Sequence, residues 1–243
     1  MIIWHLNIGG LWGKIDYLKH AICASTHIPD IISLCETHVR ENAQPPTIPG
    51  YNSFYNNYSG GSSGTAIYYR LHLKATQLAH PGNASKEMKA RVTMARINNT
   101  WYGEFYAPCD SENIEPRENF YAYAEEAVAA MRESDRTIPM ILTGDFNGHI
   151  KDHYSTETNS NGQMILDAVK NQSLELINMN SPTWERPGRR PTCVDYVACN
   201  KTGYDKILKS SVRDEIYIDS DHHLIEITMN ASLLLLVEQP QQR

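Results

Sequence analysis

The chain has 243 residues, 41% of them hydrophobic and 21% charged, with a net charge of −6. This is ordinary globular composition for one large domain with a sizeable core, and it excludes a disordered, fibrous or membrane-spanning class. An acidic total gives no global signal for a polyanionic partner, although a local basic patch is compatible with it.

Five cysteines, an odd number with no C-x-x-C, fit a reduced compartment better than a disulfide framework. Met1 to Asn7 has no basic leader and reads at once as a strand, so no signal peptide is expected. The late apolar run Leu233 to Val237 is too short to cross a bilayer.

In chain order, residues 1–8 read as a strand. Residues 13–25 read as a helix with Ile15, Leu18, Ala21 and Ile22 on one face, and 30–35 as a buried strand. Strand-like runs follow at 51–56, 64–70, 73–79, 88–97 and 100–106. Residues 117–132 give the clearest helix: Phe120, Tyr121, Ala124, Ala127, Val128 and Met131 recur at helical spacing, and Pro116 suits the first turn. A strand at 138–144, a helix at 162–171 and strands at 174–178, 193–199, 206–211 and 223–229 complete the pattern. Strands dominate, with a few helices between strand pairs, which predicts two packed sheets with helices outside.

Chemistry-bearing side chains collect at the ends of these strands. Asn7 ends the first, Glu36-Thr37 follows the second, and Tyr106-Ala107-Pro108 ends the run at 100–106. Gly144-Asp145-Phe146-Asn147 ends the strand at 138–144, Asp195 lies in the strand at 193–199, and Ser220-Asp221-His222 opens the last. Each alone has an ordinary reading: Glu36-Thr37 as a turn cap, Asn147-Gly148 as a turn pair, Asp221 as a helix cap. Together, six strand termini of one sheet system carry groups able to bind a metal, a phosphate or a proton. The other histidines show no metal-ligand spacing, so zinc is not expected.

This ordered set resembles the endonuclease/exonuclease/phosphatase superfamily, and most of all the apurinic-endonuclease-like domains of non-LTR (LINE-type) retrotransposons. The resemblance spans residues 5 to about 229. It implies a DNase I-like four-layer α/β sandwich, with two packed, mainly antiparallel sheets flanked by helices. One domain over 1–230 is expected, with 231–243 as a tail or linker start. The implied activity is Mg²⁺-dependent DNA nicking (Mn²⁺ substituting) that leaves a 3′-hydroxyl to prime reverse transcription. The implied partners are double-stranded DNA and a reverse transcriptase domain in cis. A nuclear location and a monomeric isolated domain go with that reading, and no membrane.

The resemblance also assigns roles. Glu36, with Asn7 and Asp221, would hold the metal, and Asp145 would take the proton of the attacking water. Asn147 and Tyr106 would donate to the phosphate, and His222 would bind it with its imidazole oriented by Asp195. Two positions depart from the family pattern. Gly9 stands where an acid is frequent, which thins the metal shell on that side, and Cys109 stands where Asn usually follows Tyr-x-Pro.

Between Thr183 and Thr192, a Pro-Gly turn between strand-like flanks suggests a hairpin tip. Trp184, Arg186, Arg189 and Arg190, with Thr192 nearest the cut, would contact DNA there; a solvated surface turn is the alternative. Two other functions remain open: an abasic-site repair enzyme or other phosphodiesterase of the same superfamily, and a non-catalytic nucleic-acid-binding module.

Overall fold

The structure is a computed structural model that describes residues 1–57, 63–133, 135–177 and 179–230. The expected tail at 231–243 lies outside the described residues.

One sheet contains β1 (Ile2–Asn7), β2 (Ile31–Cys35), β3 (Tyr51–Asn56), β4 (Thr65–Arg70), β11 (Ile207–Arg213) and β12 (Leu224–Met229), in the order β11-β12-β1-β2-β4-β3. The other contains β5 (Ala75–Gln77), β6 (Val92–Ile97), β7 (Thr100–Tyr106), β8 (Met140–Asp145), β9 (Glu175–Ile177) and β10 (Asp195–Cys199), in the order β5-β6-β7-β8-β10-β9. Among the described strands, β1–β2 and β7–β8 are the pairs that run parallel. Helix α1 (Leu11–Ala24) makes the crossover of the first parallel pair and α3 (Ile114–Glu133) that of the second, as parallel strands require. These are the two packed sheets that the strand pattern predicts, mainly antiparallel as the resemblance implies.

Strand periodicity distributes the residues among three apolar layers. Trp4, Leu6, Ile32 and Leu34 pack against α1 through Leu11, Ile15 and Leu18. Trp101, Phe105, Met140, Leu142, Tyr196 and Ala198 pack against α3 and α4 (Ser160–Asn171). The alternate residues, among them Ile3, Ile31, Tyr102, Ile141, Val197, Ile225 and Ile227, fill the space between the sheets. Continuing that inward register along each strand reaches His5 and Asn7 on β1, Glu104 and Tyr106 on β7, Thr143 and Asp145 on β8, and Asp195 on β10. All seven are buried. Because β12 runs antiparallel to β1, and β10 to β8, the starts of β12 and β10 share a rim with the ends of β1 and β8.

Residues 88–97 are not one strand. Ser85 accepts a hydrogen bond from the Met88 amide at 3.1 Å and starts a helical turn, α2 (Lys86–Ala90), before β6 begins; Lys, Glu, Met and Ala are all good helix formers. Asn200 likewise caps a short helix that the sequence pattern does not reveal, α5 (Lys201–Tyr204). Among the described residues, no helix is long and apolar enough to cross a membrane.

Candidate active site

The rim carries a cleft of about 560 Å³ lined by Asn7, Glu36, Asp145, Asn147, Asp221 and His222, with Trp184, Arg186 and Thr192 on one wall. Six separate segments of chain supply it.

Asn7 is its hub. The amide nitrogen donates to Glu36 Oε1 at 2.9 Å and to Asp145 Oδ2 at 2.8 Å, while its oxygen accepts from the Gly9 amide at 3.1 Å. Glu36 lies just past β2 at φ 50°, and Asn147 just past β8 at φ 49°. Non-glycine residues in this left-handed region cost about 1–3 kcal/mol each, strain that the surrounding structure must hold in place. Burial alone would raise the Glu36 pKa. Hydrogen bonds from His38, Asn7 and the Tyr106 phenol outweigh it and hold Glu36 below the usual carboxylate value. Tyr106 is pushed far up by burial and by the charges of Glu36 and Asp145, so it enters the site as a protonated donor.

The second half is an Asp–His–Asp arrangement. His222 Nδ1 lies 2.8 Å from Asp195 Oδ2, and Nε2 lies 3.8 Å from Asp145 Oδ2. Ser220 fixes the approach: its hydroxyl donates to the Asn7 carbonyl at 2.7 Å and accepts from the His222 amide at 3.1 Å. Burial would lower the His222 pKa, but the charges of Asp195 and Asp145 carry it up to about 9. Asp195 is held well below the usual carboxylate range by His222 and His5, against its burial. Asp145 goes the other way. Burial and the charge of Asp195 push it up to about 7, despite His222, the Asn147 amide and Asn7. Burial and mutual repulsion on one side, and the imidazoles of His222 and His5 on the other, thus drive the two carboxylates in opposite directions.

Two expected residues, Asp221 and Asn147, have partners that bear on their roles. Asp221 Oδ2 accepts from Trp184 Nε1 at 2.8 Å and pairs with Arg186 Nε at 2.6 Å. Its carboxylate therefore anchors the 184–192 loop to the cleft. The Asn147 side chain donates to the Ala107 carbonyl at 3.0 Å, and its oxygen receives the Cys109 thiol at 3.7 Å. Cys109 thus supports Asn147 in place of an amide, and burial with the nearby Asp145 charge raises its pKa, the opposite of what a nucleophilic thiol needs.

The 184–192 segment is a hairpin, closed by a bridge between Trp184 and Thr192. Arg186 lies 5.7 Å from the Trp184 ring centroid. Arg189 and Arg190 are exposed beyond the cleft, and Arg190 borders a second groove with Asp152, Tyr154 and Ser155.

Other site residues escaped the sequence reading. Lys14, His38 and His149 line the cleft. Beneath it, His5 Nδ1 meets Glu104 Oε2 at 3.1 Å, and Nε2 meets Asp195 Oδ1 at 3.3 Å. Glu104 also accepts from the Thr143 hydroxyl at 2.6 Å. Burial would lower His5, yet Glu104 and Asp195 lift it to about 10. Polar residues at inward positions of buried strands were the available signal for this network.

The donor set suits a hard divalent cation. Glu36 is ionised at the mouth of a cleft with room for water, an amide stands beside it, and Asp145 is a second carboxylate joined to Glu36 only through Asn7. One or two carboxylates with water and phosphate oxygens are what Mg²⁺ takes. Asp145, Asp195 and His222 also lie close enough together to hold an ion, but the hydrogen bond between His222 and Asp195 already engages that trio.

A family model described as the endonuclease/exonuclease/phosphatase family matches residues 14–222. Among solved structures, the endonuclease domain of TRAS1, a telomere-specific non-LTR retrotransposon, superposes with a TM-score of 0.73 at 18% identity over 95% of this chain and 99% of its own. The catalytic domain of Xenopus laevis APE2 gives 0.73 at 20% identity, covering 94% and 91% of the two chains. The Neisseria 3′ phosphatase NExo, solved with a product DNA hairpin, gives 0.73 at 17% identity, covering 95% and 99%. At these identities the likeness is one of fold. A sequence search of curated proteins finds no match.

Proposed function

Because the chain belongs to the endonuclease/exonuclease/phosphatase family, we propose that it is a divalent-metal-dependent DNA endonuclease that nicks one strand by hydrolysis. The carrying observation is the convergence of Asn7, Glu36, Asp145 and His222, drawn from four strand ends, within one cleft walled by a Trp/Arg hairpin.

Glu36, with Asn7, would hold Mg²⁺, or Mn²⁺ in its place. The bound cation would offset charge on the phosphate. Asp145, with a pKa of about 7, is matched to accept the proton of the attacking water near neutral pH. His222 carries positive charge below about pH 9 and, with the Tyr106 phenol, binds the phosphate oxygens where negative charge builds. Water oxygen joins phosphorus as the bond to the 3′-oxygen breaks; the 3′-oxygen takes up a proton from solvent water while the proton on Asp145 returns to solvent, leaving a 3′-hydroxyl and a 5′-phosphate.

In this reading the domain belongs to a non-LTR retrotransposon protein. Its nick would prime a reverse transcriptase carried on the same polypeptide, and it would act in the nucleus. The hairpin supports that choice over a repair enzyme, since Asp221 is committed to holding Trp184 and Arg186 at the cleft wall. The test is a panel of supercoiled plasmid, an oligonucleotide with one abasic site and a phosphoinositide, each with Mg²⁺. Plasmid nicking without preference for the abasic strand is expected. Preferential abasic cleavage would reassign the protein to repair, and phosphoinositide turnover alone would remove it from the nucleases.

A further inference from the structure

Lys14 is in the first turn of α1, a helix locked to its sheet by Leu11, Ile15 and Leu18. Its ammonium reaches over Gly9: a side-chain carbon built on Gly9 would lie 3.1 Å from Lys14 Nζ. Gly9 has φ 53°, a conformation that favours glycine. Glycine at this position leaves room for the ammonium, and Lys14 lines the cleft wall with Asn7 and Glu36.

The cleft's other charges are already engaged. Arg186 pairs with Asp221, His222 with Asp195, and Glu36 with His38 and Asn7. Lys14 is half-buried and, among the described residues, has no hydrogen bond or ion pair, although carboxylates share its cleft. A half-buried, uncommitted cation in the proposed substrate cleft of an otherwise acidic chain is placed to receive an anion. Resting on the nuclease reading above, we infer that Lys14 is a phosphate-binding residue that grips the backbone of the cut strand, on the side of the cleft where Gly9 supplies no acid. A lysine acts on phosphate as a point charge, so it contributes affinity and register without reading sequence.

The experiment measures binding of a fluorescent duplex in EDTA, where cutting is absent, over a series of salt concentrations, for wild type, Lys14→Gln, Lys14→Arg and Lys19→Gln. Lys19 lies on the same helix and pairs with Asp16 at 3.6 Å, so it serves as the surface-charge control. Losing one phosphate contact should flatten the slope of log K against log salt by about 0.9. Lys14→Gln should show that flattening and a several-fold higher KM for nicking with kcat little changed. Lys14→Arg should restore the slope, and Lys19→Gln should leave it unaltered. A Lys14→Gln protein that binds with the wild-type slope and KM overturns the assignment. Equal flattening by Lys19→Gln also overturns it, since general charge would then be the cause. Wild type that binds no duplex at any salt would overturn the nuclease reading together with it.

Discussion

Asp145 is a carboxylate held where its charge is costly, and replacing it should stabilise the metal-free protein while ending its activity. Its folded value of about 7 against 3.8 in the open chain corresponds to about 4 kcal/mol of lost stability once the group is ionised in both states, an upper figure because Asp195 and His222 share the titration. The sign follows from the raised value: the folded state keeps its proton longer, so stability is full below pH 3.8 and is lost as pH rises through 7. Asp145→Asn removes that cost and keeps an oxygen for the Asn147 amide, but it sets an amide against the Asn7 nitrogen that now donates to Asp145 at 2.8 Å. That lost bond costs about 1 kcal/mol. The net gain at pH 8 in EDTA is then about 3 kcal/mol, or roughly 6–12 °C in Tm for a domain of this size. Below pH 4 the gain should disappear and the variant should be slightly the less stable. Paired thermal melts of wild type and variant at pH 4 and pH 8, both in EDTA, measure it. Equal stability at pH 8, or an identical gain at both pH values, would refute the reasoning.

His222 has its pKa raised to about 9 by Asp195 and Asp145 against its burial, so in the folded protein it keeps its positive charge through neutral pH and loses it as pH rises through 9. Nicking should decline above about pH 9, and His222→Ala should cut at least about 100-fold more slowly with that alkaline limb gone; a pH–rate profile of both proteins checks it. Trp184→Ala removes one of the two groups that Asp221 uses to hold the hairpin. Sequencing the nick sites on a defined duplex should show a redistributed pattern with cutting retained, and an unchanged pattern would deny the hairpin a role in target choice. Gly144→Ala would place its new carbon 2.4 Å from the Phe105 carbonyl oxygen on the parallel neighbour strand. Urea unfolding should show a loss of about 3 kcal/mol or more, and a near-neutral result would contradict the tight β7–β8 register.

Much of the architecture was legible because the periodicities are clean. The aromatic and alanine stripe of α3 and the alternation along β1, β7 and β8 give both the elements and their buried faces. The site was legible for a related reason: its polar groups sit where apolar strands stop, and the fold brings those stops to one rim. What stayed hidden depends on contacts between distant segments. That Asp221 also holds Trp184 and Arg186 could not be read from its place before the last strand. Lys14 has no motif around it, and its place in the cleft follows only from how α1 packs beside the end of β1. His5 and Glu104 stand 99 positions apart, and only the packing of the sheets makes them partners. The short helix at Lys86–Ala90 was lost to its apolar neighbours, with the Ser85 cap as its one local sign.

The central claim is that this cleft hydrolyses DNA with a divalent cation held through Glu36. Supercoiled plasmid should be incubated with wild type and with Glu36→Gln, in EDTA and over a Mg²⁺ series, and the nicked product then treated with DNA ligase. Wild type should nick only when Mg²⁺ is present, ligase should seal the nicks because they carry a 3′-hydroxyl and a 5′-phosphate, and Glu36→Gln should be slower by about 100-fold or more at every Mg²⁺ concentration. Sealable nicks in EDTA, or equal rates from Glu36→Gln, would contradict it.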